Sequence, residues 1–147
     1  MKFRSLFLAL SLAVTAGAAL AETPAPRAID PASAEWSSPA GLAGVSGAWL
    51  IGGQDQPGPY QFRITIEKDG RIPPHTHPDT RNSTVLSGTL YVGFGEHFDE
   101  TAMVAIPEGH LYVAPANVPH YLWARDGQVT YQESGAGPSG TRLIKHP

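Results

Sequence analysis

The stretch from Tyr60 to Glu67 sets the narrowest limit on the fold. Tyr60, Phe62, Ile64 and Ile66 alternate with Gln61, Arg63, Thr65 and Glu67, and a period of two puts the apolar set on one face of a strand. A strand buried on one face needs a second layer to cover it. Helices are poor candidates for that layer, because 16 Gly and 14 Pro among 147 residues interrupt nearly every helix-like stretch. Short apolar runs recur instead, each stopped by a turn former. They are Ala48 to Ile51, Val85-Leu86, Leu90 to Phe94, Leu111 to Val113, Tyr121 to Trp123, Val129 to Gln132 and Leu143-Ile144. About eight to ten short strands at this spacing predict an all-β antiparallel sandwich or jelly-roll barrel in a single domain. Ser87-Gly88 reads as a hairpin turn or a bulge, and Ser134 to Gly140 as a loop. Asp99 is expected to cap the single predicted helical turn, Glu100 to Ala105.

Chemistry concentrates in Pro73-Pro74-His75-Thr76-His77-Pro78. Histidines two apart in an extended segment share a face and can share one ligand. A third histidine, His120, ends the turn Pro115-Ala116-Asn117-Val118-Pro119 and opens the next apolar run. Three imidazoles converging in a small β fold suit a divalent transition metal, and Fe, Mn, Ni, Cu and Zn all remain open. His97, His110 and His146 have no such partners in the sequence and read as surface or satisfied core residues. Tyr91, Tyr121, Trp123 and Tyr131 either line a pocket for an apolar or aromatic ligand or simply fill the core.

The first residues belong to a different category. Met1 to Arg4 is basic, Leu6 to Leu20 is apolar, and Ala19-Leu20-Ala21 has small residues where a signal peptidase reads. Residues 1–21 are therefore expected to be a cleaved secretory signal peptide, with a bacterial periplasmic or secreted product. The apolar run is shorter than the roughly 20 residues a membrane span needs. Residues 22–44 hold Pro24, Pro26, Pro31 and Pro39 and read as an extended arm, with Trp36 packing on the domain or on a second subunit. The domain proper is expected over 45–147. The chain carries a net charge of −3, and losing Lys2 and Arg4 makes it more acidic. Neither nucleic acid nor, after signal cleavage, a membrane is an expected partner. Without cysteine there is no disulfide and no thiolate ligand or nucleophile.

Two stretches carry a family resemblance. Gly70, His75-x-His77, Arg81 and Gly88 resemble the first cupin motif, and Gly109, Pro115-Ala116-Asn117 and His120 resemble the second. The similarity runs over roughly residues 45 to 145 and is closest to small, single-domain, often exported bacterial cupins. It implies a cupin barrel with a metal on His75, His77 and His120. It also implies a small-molecule substrate or ligand, a common tendency to form homodimers, and oxidoreductase chemistry, typically dioxygenase, as the commonest activity. Isomerases and lyases share the fold.

Three positions depart from the motifs. Asn117 stands for a glycine, and Asn tolerates a left-handed backbone. Ala124 stands for a polar residue. Arg81 stands for the glutamate ligand, and a guanidinium has no lone pair to offer a metal. Three readings of Arg81 follow: it turns away from a three-histidine site, it clamps an anionic group of the substrate, or metal binding has decayed. Glu133 is either a compensating carboxylate or a solvated strand residue. The competing functional class is a non-enzymatic module that binds or senses an anionic ligand with weak or no metal.

Overall fold

A computed structural model describes residues 25–145, so the signal peptide expected at residues 1–21 and His146 lie outside the described residues. The strands are β1 (Val45–Ile51), β2 (Gly58–Ile66), β3 (Arg71–Thr76), β4 (Arg81–Ser87), β5 (Thr89–Phe94), β6 (Val104–Pro107), β7 (Leu111–Ala114), β8 (His120–Trp123), β9 (Val129–Gly137) and β10 (Arg142–Leu143). They pair antiparallel into two five-stranded sheets, β1-β2-β9-β4-β7 and β10-β3-β8-β5-β6. Among the described residues no helix is long and apolar enough to cross a membrane. The all-β antiparallel jelly roll expected from the strand pattern is the fold observed.

The alternation in β2 does what its period requires. Tyr60, Ile64 and Ile66 are buried, and with Val45, Val85, Val129 and Tyr131 the inner face of this sheet meets Ile72, Leu90, Val92 and Leu122 of the other. Each such aliphatic side chain contributes about 1.5–3 kcal/mol on burial, so this interior seam holds the two sheets together. β9 runs against β2 from Val129 opposite Ile66 to Gly137 opposite Gly58. Ser134 to Gly137 is therefore strand, not the expected loop; pairing with β2 overrides the loop composition. Gly135 has a specific use there, because a Cβ would fall 2.5 Å from the Tyr60 hydroxyl and 2.6 Å from Asp79 Oδ2.

Two other expectations need correcting. Asp99 does accept the Thr101 N–H at 2.9 Å, but the turn it caps is a 3-10 turn over Glu100–Ala102. Val104 and Ala105 pair with Val92 and Tyr91 instead, and sheet bonding outweighs weak local helix preference. Ser87-Gly88 is neither a hairpin nor the bulge, which falls at Leu86; it carries the chain from β4 in one sheet to β5 in the other. Gly88 sits at φ +80°, and a Cβ there would lie 2.5 Å from the Gln128 carbonyl oxygen.

The arm is tied to the domain at Ser37 and at Gly44, whose carbonyl accepts from Glu67 N at 2.7 Å. Ser37 and Gly47 exchange backbone bonds at 2.9 and 2.8 Å, which carries Pro39 and Leu42 to the rim of the space between the sheets. Trp36 packs locally, its Nε1 donating to Pro31 O at 3.1 Å.

Candidate metal centre

The site grows from β3 and β8. Pro73 and Pro74 have no N–H, and the β3–β8 register slips between Ile72 and His75. When pairing resumes, His75 stands directly opposite His120, and cross-strand partners face the same side. Their rings lie 4.2 Å apart, with the His77 ring 4.8 Å from His75 and 5.1 Å from His120. The turn of the second motif is fastened to the first, because Asn117 N donates to His77 O at 2.8 Å. Asn117 takes a left-handed φ of 61°.

Each imidazole is oriented by a carbonyl. His75 Nδ1 meets Pro73 O at 2.8 Å, His77 Nδ1 meets Gly140 O at 2.7 Å and His120 Nδ1 meets Val118 O at 3.1 Å. A carbonyl only accepts, so Nδ1 carries the proton in all three and each Nε2 keeps its lone pair. The ligating atoms lie within 4.8 Å of one another, and His77 Nε2 and His120 Nε2 are buried with no hydrogen-bond partner. Buried polar atoms left unpaired cost about 1–3 kcal/mol each, a cost that a shared cation removes. The donor set therefore fits a metal ion.

Electrostatics keeps the rings neutral. Burial, then the repulsion that protons on both His75 and His120 would meet, holds His75 down to about 3. Burial and the Arg81 guanidinium hold His77 down to about 2, and burial lowers His120 as well. Such histidines are ready ligands near neutral pH. In the metal-free protein the unfolded chain, with histidine near 6.5, takes up protons before the folded one. Stability is therefore full above pH 6.5 and is lost as the pH falls toward 3. At pH 5 linkage assigns roughly 2 kcal/mol to each of His75 and His77. Denaturant melts of metal-free protein between pH 7.5 and 5 should show that loss, and a flat profile would contradict the neutral, buried assignment.

Arg81, at the start of β4, is 4 % exposed. Its Nη1 donates to Glu133 Oε2, its Nη2 donates to Ser139 Oγ at 2.8 Å and Gly140 O at 3.1 Å, and its Nε faces Asp79 Oδ1 at 3.8 Å. Tyr60 OH and Ser139 Oγ each donate to Asp79 at 2.5 Å. Glu133 is thus neither solvated nor, in this arrangement, a free carboxylate. Burial pushes its carboxyl upward and the guanidinium pulls it back.

A cavity of about 80 Å³ is lined by His75, His77, Arg81, Glu133 and Tyr131 together with Leu42, Val45, Phe62 and Ile64. An adjoining cleft of about 420 Å³ shares Pro39, Leu42, Phe62, Arg81 and Thr141 with it and adds Trp49. Tyr131 joins the site residues; Tyr91 and Trp123 do not. His120 and Leu122 point inward, so the strand period turns Tyr121 and Trp123 to the outer face. Trp123 stacks under Arg71 at 4.1 Å. Tyr91, paired with Trp123, stacks under Arg125 at 3.8 Å and donates to Asp126 at 2.6 Å. Their expected place at the pocket is corrected accordingly. Among the other histidines, His97 and His110 are exposed and outside the cluster. Sequence reasoning missed Asp79, Ser139 and the carbonyl of Gly140.

A ten-stranded antiparallel jelly roll with histidines converging from β3, the turn after it and β8 is the architecture of a cupin-type barrel. The comparisons agree: a model of the cupin domain matches residues 62–131. Germin-like protein 3-1 of Oryza sativa subsp. japonica is 31% identical over 101 residues, covering 68% of this chain and 44% of that protein. The chain spans less than half the length of the curated relatives it matches. Among solved structures, the polyketide cyclase RemF from Streptomyces resistomycificus superposes with a TM-score of 0.69 at 15% identity, over 82% of this chain and 87% of that one. Salicylate 1,2-dioxygenase from Pseudoaminobacter salicylatoxidans superposes with a TM-score of 0.58 at 15% identity, over 70% of this chain and 30% of that one. At such identities the structures speak for the fold. The chain belongs to the cupin superfamily.

Proposed function

We propose that this protein is an exported, metal-dependent cupin oxidoreductase, dioxygenase-like, that acts on a small, largely apolar organic molecule in the periplasm. The observation that carries the reading is the set of three Nε2 lone pairs held toward one point by three backbone carbonyls. A divalent transition metal bound there supplies Lewis acidity and open coordination positions for a substrate oxygen or dioxygen. The rest of the work falls to this chain. Phe62, Leu42 and Ile64 exclude water from the cavity, and Trp49, Phe62 and Pro39 offer the adjoining cleft an apolar wall. A neutral ring or a short aliphatic body suits such walls. The dioxygenase neighbour supports the oxidative reading by analogy; the cyclase neighbour shows that the fold alone leaves the chemistry open.

The module that binds an anion through Arg81 has less support. That guanidinium already donates to Glu133, Ser139 and Gly140 and faces a second carboxylate, Asp79. Elemental analysis of protein purified without a metal-binding tag, paired with oxygen uptake over a panel of small neutral and anionic aromatics, tests the proposal. About one transition metal per chain and uptake on neutral substrates is the expected result. Metal-free protein stabilised by small acids would overturn it in favour of the binding module.

A further inference from the structure

The geometry points to Arg81 as a positioning residue of the metal centre, acting through the Gly140 carbonyl on His77. This rests on the metal reading above but concerns a different link, the bond that aims His77 rather than the ion. Gly140 O accepts two donors, Arg81 Nη2 at 3.1 Å and His77 Nδ1 at 2.7 Å. The other two ligands use carbonyls two residues away in their own strand or turn, Pro73 for His75 and Val118 for His120. His77 alone depends on a carbonyl 63 positions away in sequence. That carbonyl lies in the connection between β9 and β10, residues 138–141, which Ser139 N ties to Gln54 O at 2.7 Å and which ends where Arg142 pairs with Thr76; Thr141 Oγ1 lies 3.3 Å from His77 Nδ1 as a second, weaker partner.

Besides His77, Arg81 adds the one side-chain bond made to that carbonyl itself among the described residues. Its Nη2 holds both Ser139 Oγ and Gly140 O, while Glu133 on β9 holds Nη1 and Asp79 braces Ser139. The planar fork suits this task, since one rigid group spans the strand carboxylate and the loop carbonyl together. Lysine, a single point donor on a flexible stem, cannot reach all of these partners at once. The residue that cannot be a ligand therefore sets the tautomer and aim of one that is. Outer-shell partners of metal-bound histidines typically change metal affinity by about 10- to 100-fold.

The test reads the imidazoles directly. Long-range proton–nitrogen NMR spectra of the metal-free full-length protein should show His75, His77 and His120 each as the single Nδ1–H tautomer. In Arg81→Lys, His77 alone should become a mixture of tautomers, and the zinc Kd from competition titration should weaken about tenfold. Arg71→Lys, the same exchange at an exposed arginine paired with Glu100 outside this network, should keep the His77 tautomer. Should Arg81→Lys fail to fold, the wild-type protein still decides the matter. Loading zinc should shift the Gly140 carbonyl carbon and the Arg81 guanidinium nitrogens together. An unchanged His77 tautomer in Arg81→Lys, equal changes at all three histidines, or an Arg81 resonance indifferent to zinc would overturn the assignment. Because the tautomer is read without metal, its failure is distinguishable from failure of metal binding itself.

Discussion

His75→Ala is expected to lower metal affinity by at least about a hundredfold while leaving the metal-free protein folded. Two of the three ligands are cross-strand partners, His75 and His120, so removing His75 leaves a pair of donors where a triad stood. Loss of a ligand should exceed the roughly 10- to 100-fold effect usual for an outer-shell partner. Stability should respond differently with pH. Near neutrality the variant loses the packing of a buried ring and one hydrogen bond to Pro73 O, a cost of about 1–3 kcal/mol. As the pH falls below 6.5 the variant sheds the proton-linked loss attached to a histidine held down to about 3. The two stability curves should therefore converge near pH 5. Metal content by elemental analysis and urea melts at pH 7.5 and 5 check both parts; parallel stability curves would show that His75 titrates normally.

Much of the site was legible because it is local. The spacing of His75 and His77, the strand that follows Pro119, and the tolerance of Asn117 for a left-handed φ all follow from residues within a few positions of one another. The parity rule carried further information than was drawn from it. With His120 facing inward, Tyr121 and Trp123 must face outward by strand alternation, and the pairing of Tyr91 with Trp123 sends Tyr91 to the same side. What could not be read is what depends on register. Glu133 lies 52 residues from Arg81 and Ser139 lies 58, and no local pattern says that β9 passes beside β4. Ser134 to Gly137 looks like a loop by composition and becomes strand only because β2 and β4 pair with it. A backbone carbonyl such as that of Gly140 carries no side-chain signal. Asp79 lies in the bend between β3 and β4, where strand parity gives no guide to its side chain.

Arg81→Glu would restore the residue type that the cupin motif places at this position, yet it is expected to damage the protein. The sequence alone allows that a carboxylate here tightens metal binding. The structure instead surrounds the position with Glu133 and Asp79, both on or beside the guanidinium and little exposed. Exchanging the cation for a third carboxylate strands the other two and adds their mutual repulsion. Breaking a buried ion pair in this way costs about 3–5 kcal/mol, and in a domain of this size roughly 10–20 °C in melting temperature. The loss carries a pH signature. Carboxyls crowded together in the folded variant have raised pKa values, so lowering the pH from 7 to 5 protonates them preferentially in the folded state. The gap to wild type should then narrow. Glu133→Gln, which keeps Arg81 beside Asp79, should cost less than half as much. Thermal melts of both variants at pH 7 and 5 make the comparison. An Arg81→Glu protein that melts like wild type and binds zinc more tightly would mean that position 81 reaches the ion directly and that the Asp79, Arg81 and Glu133 network is not what holds the site.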